Sequence, residues 1–309
     1  MIETWNTESM RDMIRSGLKL EGPIELLAIS QNYVYSAFHD GLPVIVRCSP
    51  PGWRSVEQID FEVELLDVLA SAGLSVCKAL SIEGRLITAL HLKESVWLTV
   101  VFQKAKGKAL WEGSPKEGTV REVGKYIGTL HTAGSPLIHR AASQREFSES
   151  DQRLLSDTGD GVLIRKGYEI SNALSKMSHS KSDYGLVHAD IHSGNVFVED
   201  TTVTLIDFDN VRLGWYFSDL LNLLYEFQMN QSGNAATLAA ALYAGYAEIA
   251  SLGQMGQELI ELLIREADIS EIVSIRNRGI DQEMKSTRYQ KLMDCIMSGI
   301  PSFLPYKWY

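Results

Sequence analysis

Residues 186–209 read LVHADIHSGNVFVEDTTVTLIDFD. Two short apolar runs, 196–198 and 203–206, flank the turn-prone Glu199-Asp200-Thr201-Thr202 and spell a β-hairpin. Polar and ionisable residues crowd the outer edges of both runs: His188, Asp190, His192 and Asn195 before the first, Asp207 and Asp209 after the second. Folding the hairpin brings those edges toward each other. The spacing therefore predicts a carboxylate able to accept a proton beside a set of oxygen donors suited to a hard divalent cation.

The surrounding chain has 309 residues, enough for two lobes, because single cores seldom exceed about 250 to 300 residues. Its 45% hydrophobic and 22% charged content is that of a globular protein. The net charge of -10 argues against a nucleic-acid partner, which calls for a basic face. Cys48, Cys77 and Cys295 are widely spaced with no CxxC, so neither a disulfide framework nor a zinc site is expected. The first residues, MIETWNTESMRDMI, lack the basic and apolar blocks of a secretory signal. No run approaches the roughly 18 apolar residues of a membrane span, so a cytoplasmic location without a membrane partner is expected.

Read in order, residues 7–17 suit a helix capped by Asn6 or Thr7. Three strands follow at 24–29, 33–38 and 43–48, separated by Ser30-Gln31-Asn32 and His39-Asp40-Gly41. Apolar residues at helical spacing predict a helix over 55–72. Further strands are expected at 79–82, 85–90 and 96–102, and a linker at 104–115. Helices are then predicted at 116–133, 161–177, 218–227, 235–250, 257–267 and 282–297, with a loop or short helices over 139–160. The expected fold class is α+β, with lobes over 1–103 and 104–309.

Phosphoryl transfer from ATP requires an aspartate to orient the acceptor hydroxyl, and an amide oxygen with a second carboxylate to hold Mg²⁺ against the phosphates. Asp190 and Asn195 stand five positions apart and Asp207 lies twelve beyond, the order of the protein-kinase HRDLxxxxN and DFG motifs. The HxDxHxxN form, with its second histidine at His192, resembles the aminoglycoside phosphotransferase and choline kinase family. That resemblance implies a protein-kinase-like fold, with an N-terminal antiparallel sheet plus helix and a mainly helical C-terminal lobe. It also implies ATP or GTP and Mg²⁺ as cofactors and a small-molecule hydroxyl as acceptor. A protein Ser/Thr kinase on the same scaffold, or a nucleotide-binding pseudokinase without turnover, are the rival readings.

Carried over residue by residue, the resemblance implies Asp190 as catalytic base, with Asn195 and Asp207 as metal ligands. His188 becomes a buried loop anchor. Asp219, in GWYFSDLLNLL, would open the next helix and accept hydrogens from the catalytic loop. In the N-terminal lobe, VIVRC puts Arg47 where kinases carry a lysine, with Glu62 as its partner and Glu64 as the alternative. Ser30 and Asn32 sit in the turn where the family covers the phosphates, without a glycine-rich run, and would supply donors there. Phe102 and Gln103 fall at the hinge that would read the base. His131 suits a satisfied packing histidine, and Trp215, Tyr216 and Phe217 suit core. Arg265, Arg276, Arg278 and Arg288 suit solvated faces, any one of which could instead meet an anionic acceptor.

Overall fold

A computed structural model describes residues 6–113, 115–141, 155–229, 233–253, 255–278, 284 and 286–303. The chain forms two compact units, Met1–Gly113 with Gly194–Asp209, and Ser114–Ser193 with Asn210–Tyr309. The hairpin at 196–205 thus belongs with the first unit, and contacts extend that unit beyond residue 103 to Gly113.

In the first unit, helix α1 (Thr7–Gly17) is capped by Asn6, whose Oδ1 accepts the Glu8 amide at 2.8 Å. Strands β1 (Glu21–Ile29), β2 (Tyr33–His39) and β3 (Leu42–Ser49) form an antiparallel meander. Asp40 and Gly41, both at positive φ (50° and 72°), close the β2–β3 turn, as a two-residue hairpin loop requires. Helix α2 (Val56–Ser71) begins with a capping box between Ser55 and Gln58. Strands β4 (Ser75–Val76), β5 (Ala79–Leu80), β6 (Ile87–Leu92), β7 (Ser95–Gln103) and β8 (Lys108–Ala109) follow. The main sheet runs β1-β2-β3-β7-β5, with β6 on β7.

The two-residue period of the strands decides what each face carries. Tyr33, Tyr35, Val44, Val46, Cys48, Trp97 and Val101 turn to one face and bury themselves with Met10, Ile14 and Leu18. Val34, Ile45, Arg47 and Phe102 turn to the other face, where they line a cavity. A one-residue slip of β3 would exchange Arg47 for a core position.

The second unit begins with α3 (Glu117–Ala133), α4 (Ile138–Ala141), α5 (Gly161–Leu174) and strand β9 (Tyr184–Val187). The chain then supplies the first unit with β10 (Val196–Glu199) and β11 (Thr202–Leu205), in a sheet ordered β4-β11-β10-β8. It resumes with β12 (Arg212–Trp215), antiparallel to β9, and helices α6 (Tyr216–Met229), α7 (Ala235–Ala247), α8 (Gln257–Arg278) and α9 (Thr287–Ser298). Helices α3 and α7 press together at Gly124 and Gly245, where an added Cβ would run into the carbonyls of Leu242 and Arg121. A second core gathers Leu163, Ile170, Tyr225, Ile272 and Ile296.

Several boundaries differ from those predicted. Helix α8 continues to Arg278 instead of ending at 267, because Ile269, Ile272, Val273 and Ile275 prolong its buried stripe past Asp268. Strand β5 stops at Leu80, and Ile82 pairs only across a tight turn with Arg85. The β9–β12 pair was not anticipated, since each strand is four residues long and finds its partner 25 or more positions away. The predicted loop over 139–160 lies partly, at 142–154, outside the described residues. No helix among the described residues is long and apolar enough to cross a membrane.

Candidate functional site

The cavity of the first unit, about 300 Å³, is lined mainly by apolar side chains, among them Leu27, Ala28, Val34, Ile45, Phe102, Phe197 and Leu205. Polar residues join the lining, among them Arg47, Glu62, Asn195 and Asp207, with Gln103 and Lys104. An apolar slot with convergent polar groups is the usual build of a small-ligand site.

Arg47 and Glu62 meet inside it as a forked pair. Arg47 Nη1 donates to Glu62 Oε1 at 2.8 Å and Nη2 donates to Oε2, with both side chains buried. Glu64, the alternative partner on α2, does not take this place. Burial alone would lower the Arg47 pKa; Glu62, with Asp209 and Asp207, outweighs it and holds the guanidinium above its ordinary value. Its carbon also lies 4.9 Å over the Phe102 ring.

The hairpin brings Asn195 and Asp207 to one edge, where the Ile206 amide donates to the Asn195 carbonyl at 3.0 Å. Asp207 adopts a left-handed backbone (φ 66°), which a non-glycine residue keeps only when its surroundings hold it. Its side chain is 42% exposed, with Oδ1 3.8 Å from Arg47 Nη1. An amide oxygen and an accessible carboxylate lining one cavity are donors of the type that hard cations prefer, so the residues fit a divalent ion.

Ser30 and Asn32 have different surroundings. Ser30 is exposed at the β1–β2 turn, outside the cavity lining, and its amide donates to the Asn32 carbonyl at 3.0 Å. Asn32 is buried: Nδ2 donates to Asp209 Oδ2 at 2.8 Å, and Oδ1 accepts Ser49 Oγ at 2.8 Å. Asp209 is also buried, 3.0 Å from Arg54 Nη2. Burial would raise the Asp209 pKa, but Arg54, Arg47 and the Asn32 amide keep it below the ordinary carboxylate value. The Gln103 amide donates to the Lys78 carbonyl at 2.9 Å, and its side chain accepts the Lys78 amide at 3.2 Å. Lys104 and Ala105 carry the cavity lining on from Gln103.

In the second unit, the segment 188–193 is held by helix α6. Asp219 is buried in the first turn of α6, inside the helix and not at its cap. It accepts the His188 amide at 2.8 Å and the Ala189 amide at 2.7 Å, as the sequence suggested. His131 Nε2 stands 3.0 Å from the same carboxylate, its Nδ1 3.0 Å from the Tyr246 hydroxyl, and its ring stacks on Tyr216, so it is a satisfied packing histidine. Burial would raise the Asp219 pKa, yet the bonds and charge from His131 and His188 hold it below the usual range. Ala189 is left-handed (φ 69°), and His188 is buried with Nδ1 accepting the Asp190 amide at 3.3 Å. Seven residues along α6 from Asp219, Glu226 accepts the Ser193 amide at 2.8 Å.

Sequence reading missed Arg54 and Glu226. The i, i+7 spacing of Asp219 and Glu226 on one helix face was the available signal for the second. Trp215, Tyr216 and Phe217 are buried, as expected for core. Arg276 pairs with Asp160 at 2.8 Å and Arg288 with Glu271 at 2.7 Å, while the side chain of Arg278 lies outside the described residues.

Comparison with known proteins places this geometry in a family. The chain is 32% identical to amicoumacin kinase of Bacillus subtilis (strain 168) over 65% of its own length and 62% of that protein's. It is 30% identical to homoserine kinase of Pseudomonas aeruginosa (strain LESB58) over 62% of its length and 61% of the relative's, so it spans less than two thirds of these curated relatives. Among solved structures, an amicoumacin kinase bound to AMP-PNP, Ca²⁺ and Ami superposes with a TM-score of 0.80 at 22% identity, covering 96% of this chain and 95% of that one. A microcompartment-associated aminopropanol kinase gives 0.71 at 19% identity, covering 95% of both chains. The fold is therefore the two-lobed, kinase-like α+β fold expected from the sequence. With residues 24–252 matching the phosphotransferase enzyme family, the chain belongs to that family.

Proposed function

We propose that the protein transfers the γ-phosphoryl group of a nucleoside triphosphate, ATP or GTP, to a hydroxyl of a small molecule. The observation that carries this reading is the apolar cavity lined by the Arg47–Glu62 pair together with Asn195 and Asp207. Its apolar lining from Leu27 to Phe102 accepts the faces of a base, with the Lys104–Ala105 backbone following Gln103 at its edge. Arg47, its fork fixed by Glu62, orients phosphate oxygens by charge and hydrogen bonding. Asn195 and Asp207 would hold Mg²⁺, which when bound offsets phosphate charge. Asp190, five residues before Asn195, orients the acceptor hydroxyl and takes its proton, and the bonds from Asp219 and Glu226 hold its loop in place.

The acceptor class follows from kinship: the named relatives are kinases of amicoumacin, homoserine and aminopropanol, all small molecules. The test is a panel of small alcohols and amino alcohols with labelled ATP or GTP and Mg²⁺, on wild type and Asp190→Asn. Wild type should label one acceptor and the variant should lose about 10²-fold or more in kcat while still binding nucleotide. An Asp190→Asn protein with undiminished turnover removes Asp190 as base, and labelling of proteins in a lysate but of no small molecule would favour a protein kinase.

A further inference from the structure

We infer that Asp209 is a positioning residue for nucleotide binding, which clamps the β1–β2 turn and the segment before α2 to the strand end that carries Asp207. The inference rests on the nucleotide reading of the cavity and goes beyond it, because Asp209 acts through Asn32 and Arg54 and not on the ligand.

One carboxylate oxygen, Asp209 Oδ2, ties three distant parts of the chain: it accepts Asn32 Nδ2 at 2.8 Å and lies 3.0 Å from Arg54 Nη2. Asn32 is fastened from its other end by Ser49 Oγ, so β3 shares in the clamp. Arg54 lies over the Trp53 ring at 5.6 Å, and the side chains of Arg54 and Asp209 are 3% and 2% exposed. A buried, hydrogen-bonded ion pair has little freedom to rearrange, and the loss of either partner strands the other in a dry site. The β1–β2 turn has no glycine-rich run whose backbone could mould itself to phosphates, so a side-chain clamp fixes its shape. Asp207, two residues before Asp209, sits in a left-handed backbone that needs such external support. The second acid of the Asp207-Phe208-Asp209 run is thereby spent inside the protein, away from the metal donors Asn195 and Asp207.

The experiment compares Asp209→Asn, Arg54→Met, Arg54→Lys and the Asp209→Asn/Arg54→Met double variant by two readouts. Hydrogen exchange of the amides at 30–34 in ligand-free protein reports the clamp itself. Steady-state kinetics in MgATP and in free Mg²⁺ report its consequence. Asp209→Asn and Arg54→Met should each speed exchange of the turn and raise KM for MgATP by about tenfold, with kcat within about threefold. The double variant should be no worse than either single one. Arg54→Lys, which keeps the charge, should recover part of the loss and stands in if the methionine variant fails to fold. Unchanged exchange in the folded single variants overturns the clamp. A raised Mg²⁺ requirement in Asp209→Asn with none in Arg54→Met also overturns it, since that marks Asp209 as a direct metal ligand. Wild type that binds no Mg-nucleotide refutes the cavity reading and the positioning role with it, and the exchange data tell this apart from a failed clamp.

Discussion

Asp219→Ala removes the carboxylate that holds His188 and Ala189, at the start of the segment 188–193. Three donors lose their partner: the His188 amide at 2.8 Å, the Ala189 amide at 2.7 Å and His131 Nε2 at 3.0 Å. All three meet at a fully buried side chain, so water does not replace the acceptor. Each stranded buried donor costs about 1–3 kcal/mol, and the release of Ala189 from its left-handed backbone returns only about 1 kcal/mol, leaving a net loss of roughly 4 kcal/mol. For a domain of about 150–250 residues that is a drop in Tm of roughly 8–16 °C. The measurement is thermal and urea unfolding of wild type, Asp219→Ala and Asp219→Asn, the last keeping one acceptor and so falling between. The pH dependence has a definite sign. Because the folded pKa of Asp219 is held below its unfolded value, its contribution is complete above the unfolded pKa of about 3.9 and fades as pH falls through the lower folded value. The difference between wild type and Asp219→Asn should therefore be constant near neutrality and shrink below about pH 4. A loss under about 1 kcal/mol for Asp219→Ala would refute the reasoning, since it would mean the loop amides find other acceptors.

Arg47→Met strands Glu62 in a buried site and should destabilise the protein by about 3–5 kcal/mol, whereas Arg47→Lys, with one bond in place of the fork, should lose less; chemical denaturation separates them. Gly245→Ala drives a Cβ into the Arg121 carbonyl at the crossing of α3 and α7, and circular dichroism melts should show a loss of more than about 2 kcal/mol, against a near-neutral Gly118→Ala, where nothing lies within 4 Å. Burial pushes the Cys77 thiol, in the cavity lining, up to about 11. Its alkylation, followed peptide by peptide by mass spectrometry, should rise about tenfold per pH unit between pH 7 and 10 and slow further with MgATP present.

The fold was legible in the chain because its signals are local. Asp40-Gly41 supports only a tight hairpin turn, Ser55 with Gln58 starts a helix, and alternation along β2 and β3 separates Arg47 from the core. Helix α8 runs past the predicted 257–267 because Asp268, an acidic residue just beyond that span, is buried and bonded to Ser302. The strands β9 and β12 were missed because neither has a pattern longer than four residues, and each is a strand only by virtue of the other.

The candidate site divides along the same line. Order and spacing marked Asp190, Asn195 and Asp207, since chemistry on a hairpin edge is written into nearby residues, and the family resemblance added Asp219 and the Arg47–Glu62 pair. Which acids are exposed and which are enclosed was decided only in three dimensions. Asp207 and Asp209 are two residues apart and identical in sequence terms, yet one is 42% exposed and the other is enclosed by Arg54 and Asn32, the latter 177 positions away. Sequence sets the chemistry a side chain can offer; burial and long-range partners, which depend on the path of the whole chain, set whether that chemistry faces a ligand or holds the protein together.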